Sequence, residues 1–184
     1  MSKIIIGLTG PLASGKDVAK KYIDRKYSAS TYKFSTVLRD ILDRLHLPIT
    51  RNNMQDLSLD LRNRFGSDIL AKVITADAKN NANDIVIVDG VRRLDDIKHL
   101  RNLPEFNLIS IDANEKVRYD RMKLRNENKG DNVKTFEEFL EDCRKEAELE
   151  IPTVMAQASY YLNNSGTLKD LYEQIDKIIE EIKK

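Results

Sequence analysis

Ile4-Ile5-Ile6-Gly7-Leu8-Thr9-Gly10-Pro11-Leu12-Ala13-Ser14-Gly15-Lys16-Asp17 is the stretch that decides the fold. Ile4 to Leu8 reads as a buried strand, and an amphipathic helix is predicted from about Gly15 to Arg25. Between them lies a G-x-x-x-x-G-K frame, from Gly10 to Gly15-Lys16. Phosphate oxygens need backbone N–H groups converging from a tight loop, which glycine permits by accepting positive φ. They also need a helix N-terminus behind the loop and a lysine that reaches the terminal phosphates. The competing reading is an ordinary strand-to-helix turn. Three of the seven glycines fall within Gly7 to Gly15, between strand and helix, and that clustering favours the phosphate cradle. Gly10, Pro11, Leu12, Ala13, Ser14, Gly15, Lys16, Asp17 and Val18 are therefore expected to hold ATP, with Lys16 on the transferred phosphate.

Asp17 departs from the usual form, in which Ser or Thr offers a hydroxyl to magnesium. A carboxylate there either holds the ion through water or caps the helix dipole, and both readings stand. Asp84-Ile85-Val86-Ile87-Val88-Asp89-Gly90 is the clearest strand, its aliphatic run suggesting burial on both faces as in a parallel sheet. Asp89 at its end is placed where a carboxylate can organise magnesium beside a nucleotide. A plain Asp-Gly turn is the alternative. Asp17 and Asp89 are thus the metal candidates.

Working outward, a weak strand is expected near Ala29 to Phe34. Val37, Leu38, Ile41, Leu42 and Leu45 recur at helical spacing up to Pro48, with one or two more helices to about Lys79. Further expectations are a helix near Arg93 to Arg101, a strand over Asn107 to Asp112 and a charged helix from Glu115 to Glu127. After the polar linker Asn128 to Lys134, Thr135-Phe136-Glu137-Glu138 offers a capping box for another helix. Ala158 to Leu162 reads as a short last strand, and Leu168 to Ile182 as a helix with one aliphatic face. Strands alternating with helices argue for an α/β fold with an open parallel sheet covered on both faces. The stretch from about 114 to 150 looks too polar for core and reads as a mobile excursion.

Arginines are the third chemical element. Arg121 and Arg125 lie four apart on one helix face, with Arg144 on the helix leading back. Planar guanidinium donors suit the spread charge of a transferring phosphoryl group, and a lid can deliver them while expelling water. These three, with Lys16 and Arg92, are the catalytic candidates. The alternative is a solvated, salt-bridged helix pair. Arg39, Arg62, Arg64 and Arg92 are candidates for holding the acceptor, with Arg92 just beyond the strand end where ligands of open α/β sheets bind. Phe34 either stacks on a base or belongs to the core. Asn163-Asn164-Ser165-Gly166 either borders the expected nucleotide, with Asn164 and Gly166 as its contacts, or is a simple entry to the last helix. His46 and His99 are isolated and read as surface residues.

The 184 residues suit one domain able to bury about 70% of the unfolded surface. Hydrophobic residues make up 41% and charged ones 33%, which excludes disorder as the main description. Lys plus Arg is 31 against 30 for Asp plus Glu, so no whole-protein basic field exists to attract nucleic acid. One cysteine, Cys143, fits a reducing compartment, and no apolar run spans a bilayer. A cytoplasmic protein with a small-molecule nucleotide substrate is expected, away from membranes.

Gly7-Leu8-Thr9-Gly10 running into Gly15-Lys16 resembles the opening of dephospho-CoA kinases. Leu61-Arg62 with Phe65-Gly66, Asp89-Gly90-Val91-Arg92, Arg118 through Arg121 to Arg125, Arg144, and Asn163 to Leu168 extend the likeness over nearly the whole chain. That wider set is similar to archaeal adenylate-kinase-like and dephospho-CoA-kinase-like P-loop proteins. Gly-Lys-Asp also resembles phage deoxynucleoside monophosphate kinases and animal phosphomevalonate kinases. The resemblance implies a P-loop three-layer sandwich with a five-stranded parallel sheet, nucleoside-monophosphate-kinase-like, with residues 34–80 binding the acceptor and 114–150 forming a helical lid. By the same resemblance, Lys16 and the loop amides hold ATP, and Arg121 and Arg125 belong to the lid.

Dephospho-CoA kinases use an aspartate near the second strand as a base, whereas Tyr32-Lys33-Phe34-Ser35-Thr36 carries no acid until Asp40. A phosphate acceptor is already a nucleophile and needs positive clamps more than a base. The leading expectation is transfer of the γ-phosphate of magnesium-bound ATP to a nucleoside or deoxynucleoside monophosphate. Dephospho-CoA kinase is the alternative, and an ATPase acting as a regulatory or RNA-associated switch is the rival from another class.

Overall fold

The computed structural model describes residues 3–125, 131–145 and 148–184. Residues 126–130, which close the expected lid helix and open the polar linker, lie outside the described residues. The elements run β1 (Ile4–Thr9), α1 (Lys16–Tyr27), β2 (Ser30–Lys33), α2 (Phe34–Arg44), α3 (Arg51–Phe65), α4 (Ile69–Asn80), β3 (Ile85–Asp89) and α5 (Leu94–Ile97). After a 3-10 turn over Leu100–Asn102 come β4 (Phe106–Asp112), α6 (Glu115–Arg125), α7 (Phe136–Asp142), α8 (Ile151–Met155), β5 (Tyr160–Asn163) and α9 (Leu168–Ile182).

All five strands pair in parallel in the order β2-β3-β1-β4-β5. The central strand β1 is buried along its whole length. Because side chains alternate, Ile4, Ile6 and Leu8 face one layer, where Ala19 and Ile23 of α1 and Leu171, Ile175 and Ile179 of α9 pack on them. Ile5 faces the other layer with Val86, Val88, Ile74, Ala78 and Val154. Each such buried aliphatic side chain contributes roughly 1.5–3 kcal/mol, so a strand that must satisfy two layers reads as a continuous apolar run. The register aligns Leu8 with Asp89 and Thr9 with Ser110, bringing the carboxyl ends of β1, β3 and β4 to one edge.

Two expectations need correction. The helix expected from Arg93 to Arg101 is the short α5 followed by the 3-10 turn. Asp96 turns back to accept the backbone N–H groups of Arg92 and Arg93, both at 3.0 Å, and fixes the entry of a single helical turn. The 114–150 stretch is not devoid of core: Tyr119, Met122 and Phe139 are buried together, with Leu12 and Ala13 of the loop after β1 packed against them. Three well-placed buried residues suffice where charged neighbours point outward. The capping box at Thr135 is present, with the Thr135 backbone N–H donating to Glu138 at 2.7 Å and its hydroxyl accepting from the Glu138 N–H at 3.2 Å. The small helix α8, entered through Pro152, was not legible; it buries only Ile151 and Val154.

Candidate active site

The loop from Gly10 to Gly15 bends through three positive-φ residues, Gly10 at 150°, Ala13 at 58° and Gly15 at 105°. At Gly10 a Cβ would lie 2.1 Å from the Ile111 carbonyl oxygen, and at Gly15 it would lie 2.0 Å from Asn164 Nδ2. Glycine is required at both for conformation and for space. Lys16, the first residue of α1, folds back over the loop and donates to the carbonyl oxygens of Gly10 (2.5 Å) and Pro11 (2.9 Å). Burial pulls its pKa down from 10.5 to about 8; Arg92 adds to that, while Glu148, Asp89 and Asp17 oppose it. An anion over the loop would restore the charge.

Among the described residues, three buried polar atoms here have no hydrogen-bond partner: Thr9 Oγ1, Ser14 Oγ and Arg121 Nη1. Buried donors without partners are costly, so their convergence around one loop fits a polyanionic ligand. Arg121 Nη2 lies 3.5 Å from Asn164 Oδ1, and Asn164 Nδ2 donates to the Ser14 carbonyl at 2.8 Å. The loop after β5 thus touches both the cradle and α6. Gly166 does not take part, but Asn163 and Ser165 border a second cavity of about 570 Å³ with Arg118, Phe136 and Tyr161.

Asp89 ends β3 as expected and faces Asp17 across the loop. The lysine one turn beyond Lys16 joins them: Lys20 Nζ donates to Asp17 Oδ1 at 2.8 Å and to Asp89 Oδ2 at 2.6 Å. Lys33 Nζ lies 3.5 Å from Asp89 Oδ2, and Arg125 Nη1 is 3.5 Å from Asp17 Oδ2. Burial would raise the Asp17 carboxyl, but the Lys20 bond and charge outweigh it and hold it low. Among the described residues no set of three or more His, Cys, Asp or Glu side chains is arranged to hold a metal. With Lys20 between them, the two carboxylates do not fit a directly bound divalent cation.

A cleft of about 900 Å³ opens in front of the loop. Lys16, Asp17, Phe34, Arg62, Arg92 and Arg125 line it, as do Leu12 and Ala13. Val18 does not; its side chain packs against the core between α1 and α9. Phe34 also packs on the core, so both readings of it meet in one residue. Arg62 is steered by the Ser67 carbonyl (2.8 Å) and lies 3.9 Å from Asp96, while Arg92 Nη1 pairs with Glu148 Oε1 at 2.8 Å. Arg39, Arg64 and Arg144 are exposed and do not line it; Arg144 sits in the turn after α7, not on a helix. His99 is no bare surface residue either: its Nε2 lies 2.8 Å from the buried Asp68.

Sequence reasoning missed Lys20, Lys33, Arg51, Arg93 and Asp96. Lys20 carries no local signal, because its partner Asp89 lies 69 residues away and reaches it only through the packing of α1 on β3. Arg51 and Arg93 line the cleft only because α3 and α5 meet there, a tertiary fact.

A family model described as an AAA domain matches residues 6–145. A UPF0200 protein of Pyrococcus abyssi is 30% identical over 185 residues, covering 97% of each chain. Another from Methanocaldococcus jannaschii is 29% identical over 181 residues, covering 97% of this chain and 90% of that one. Among solved structures, a shikimate kinase from Bacteroides thetaiotaomicron superposes with a TM-score of 0.62 at 15% identity, covering 98% of this chain and 99% of that one. A gluconokinase from Sinorhizobium meliloti gives 0.53 at 13% identity, with 98% and 95% covered. At such identity these two establish the fold, a P-loop kinase-like sandwich.

Proposed function

This chain belongs to the UPF0200 family and to that of the matched AAA domain, and we propose that it is an ATP-dependent phosphotransferase acting on a small phosphorylated acceptor, a nucleoside or deoxynucleoside monophosphate. The observation that carries the reading is the shared cleft. The Lys16 cradle opens onto the same 900 Å³ space as Arg51, Arg62, Arg92, Arg93 and Arg125. Seven cationic side chains line it against four carboxylates, a surplus suited to two phosphate-bearing ligands meeting end to end.

Lys16 and backbone N–H groups of the loop between Leu12 and Asp17 hold the donor's phosphates, and Lys16 gains its full charge as they arrive. Arg121, with an unpaired buried Nη1, and Arg125 supply guanidinium donors toward the transferring group from the lid side. Arg62 and Arg92 orient the acceptor's phosphate, held in place through Asp96 and its backbone bonds. Magnesium comes with the nucleotide as part of the substrate and neutralises phosphate oxygens. The kinases among the structural neighbours carry names of hydroxyl-bearing acceptors, shikimate and gluconate. A hydroxyl needs a base, yet Asp17, Asp89, Asp96 and Glu148 are each engaged by a lysine, an arginine or backbone N–H groups. A phosphate acceptor needs none.

An ADP-release assay over nucleoside and deoxynucleoside monophosphates, dephospho-CoA, shikimate and gluconate tests the proposal. Turnover is expected with one or more monophosphates. Turnover confined to a hydroxyl acceptor, or ATP hydrolysis that no acceptor accelerates, would overturn it.

A further inference from the structure

Lys20 has no place in the phosphate-binding frame, yet with Asp89 it makes the shortest ion pair among the described residues of the cleft. Its Nζ lies 2.6 Å from Asp89 and 2.8 Å from Asp17, with side-chain exposures of only 12% for Lys20 and 9% for Asp89. The bridge ties the first turn of α1 to the carboxyl end of β3, elements 69 residues apart in sequence. Burial works against the ammonium, but the bonds from Asp17 and Asp89 override it and hold Lys20 fully charged. Lys33 at 3.5 Å from Asp89 adds a second positive group to the same carboxylate.

We propose that the Lys20 ammonium is a built-in cation occupying the seat between Asp17 and Asp89, so that the protein excludes a directly bound divalent metal from that carboxylate pair. Asp17 is the residue that makes this possible. A serine or threonine at that position would offer a neutral oxygen and would not anchor a lysine one turn on; a carboxylate draws the ammonium across to Asp89. Lys20 then acts as a positioning residue: it fixes Asp89 against α1 and leaves the neighbouring Lys16 and the loop amides to face phosphate. Metal reaches this centre only in company with the nucleotide. The inference concerns the protein without nucleotide and does not depend on which acceptor is used.

Binding of Mn²⁺ alone, followed by electron paramagnetic resonance on the full chain, separates the possibilities. The unaltered protein and K20R are expected to show no site tighter than millimolar. K20M is expected to gain one at least tenfold tighter, and K20M/D89N to lose it again. A merely structural lysine would shift the melting temperature without creating that signal. Should K20M fail to fold, as judged by circular dichroism, the comparison passes to D89N in the unaltered background, where Mn²⁺ affinity is expected to stay the same. Tight Mn²⁺ binding by the unaltered protein that D89N abolishes, or a folded K20M with no gain, would overturn the proposal. Failure to find an acceptor in the ADP-release assay would leave these metal titrations as they are, so the two readings fail separately.

Discussion

Asn164 Nδ2 donates a 2.8 Å hydrogen bond to the Ser14 carbonyl oxygen, 150 residues away, and fills the space into which a Cβ on Gly15 would project. The loop after β5 therefore holds the shape of the cradle. Removing a buried partner costs about 1–3 kcal/mol, so Asn164→Ala should lower the melting temperature by several degrees. It should also weaken ATP binding, because the Ser14 carbonyl is left unpaired and the loop relaxes. Gly15→Ala, strained by its φ of 105° and by contact with Asn164, should do both more severely. Calorimetric ATP titration beside a thermal melt checks this; a destabilised Asn164→Ala that binds ATP as well as the parent would remove the proposed link.

Lys16, with its pKa drawn down to about 8 by burial, is partly neutral in mildly alkaline solution. Phosphate oxygens favour the charged form, so ATP binding near pH 8 to 9 should take up protons, and at pH 6.5 Lys16 should contribute none. Titrations in buffers of different ionisation enthalpy read this directly, and Lys16→Met should abolish the alkaline uptake. The sign for stability follows from the same shift. Between pH 8 and the ordinary 10.5 the unfolded chain binds more protons than the folded one, so stability rises with pH across that window. Measured against Lys16→Met, the parent should gain on the order of 2 kcal/mol between pH 7 and pH 10. No change in that difference would contradict the burial of a charged lysine.

The strands β1 and β3 were legible because a strand covered on both faces has to be continuously aliphatic, and Ile4 to Leu8 and Ile85 to Val88 are. The cradle was legible because its glycines answer a local backbone demand. Arg62 and Arg64 show where such reading stops. They sit two positions apart on α3, so they point to opposite sides, and only the packing of α3 decides that Arg62 faces the cleft. Arg39 follows the buried Leu38 and is turned outward with the polar face of α2. Lys20 was hidden for another reason: its partner Asp89 is brought close by strand order, which local periodicity does not encode. The small core around Phe139 was diluted by charged residues that point away from it.

Arg121 places one guanidinium nitrogen in a buried position without a partner, and burial lowers its pKa. In the free protein this is a cost of about 1–3 kcal/mol, which an apolar replacement of similar length removes. Arg121→Met should therefore leave the melting temperature unchanged or raise it slightly, while reducing kcat by roughly 100-fold or more if the group stabilises developing phosphate charge. A loss of stability with normal turnover would assign Arg121 to structure alone.

Arg92 and Glu148 form the last test, because their 2.8 Å pair lines the cleft that the proposed acceptor would enter. Glu148 is mostly covered, and its charge also acts on Lys16. A carboxylate between two phosphate-seeking cations competes with any anionic acceptor. Glu148→Gln should therefore lower the acceptor KM several-fold, with a smaller effect on kcat. Arg92→Ala should act the opposite way, raising KM and costing about 1.5–3 kcal/mol in kcat/KM, the range for a hydrogen bond to a charged group. The pair is partly exposed on the Arg92 side, so its own contribution to stability should be under about 1 kcal/mol, and both variants should melt near the parent. Combining them distinguishes a shared role from two separate ones. If Glu148 acts only by occupying Arg92, the double variant should match Arg92→Ala in KM. An independent gain from Glu148→Gln in the absence of Arg92 would instead mean that the carboxylate opposes the acceptor directly, through the field it casts on the Lys16 side of the cleft.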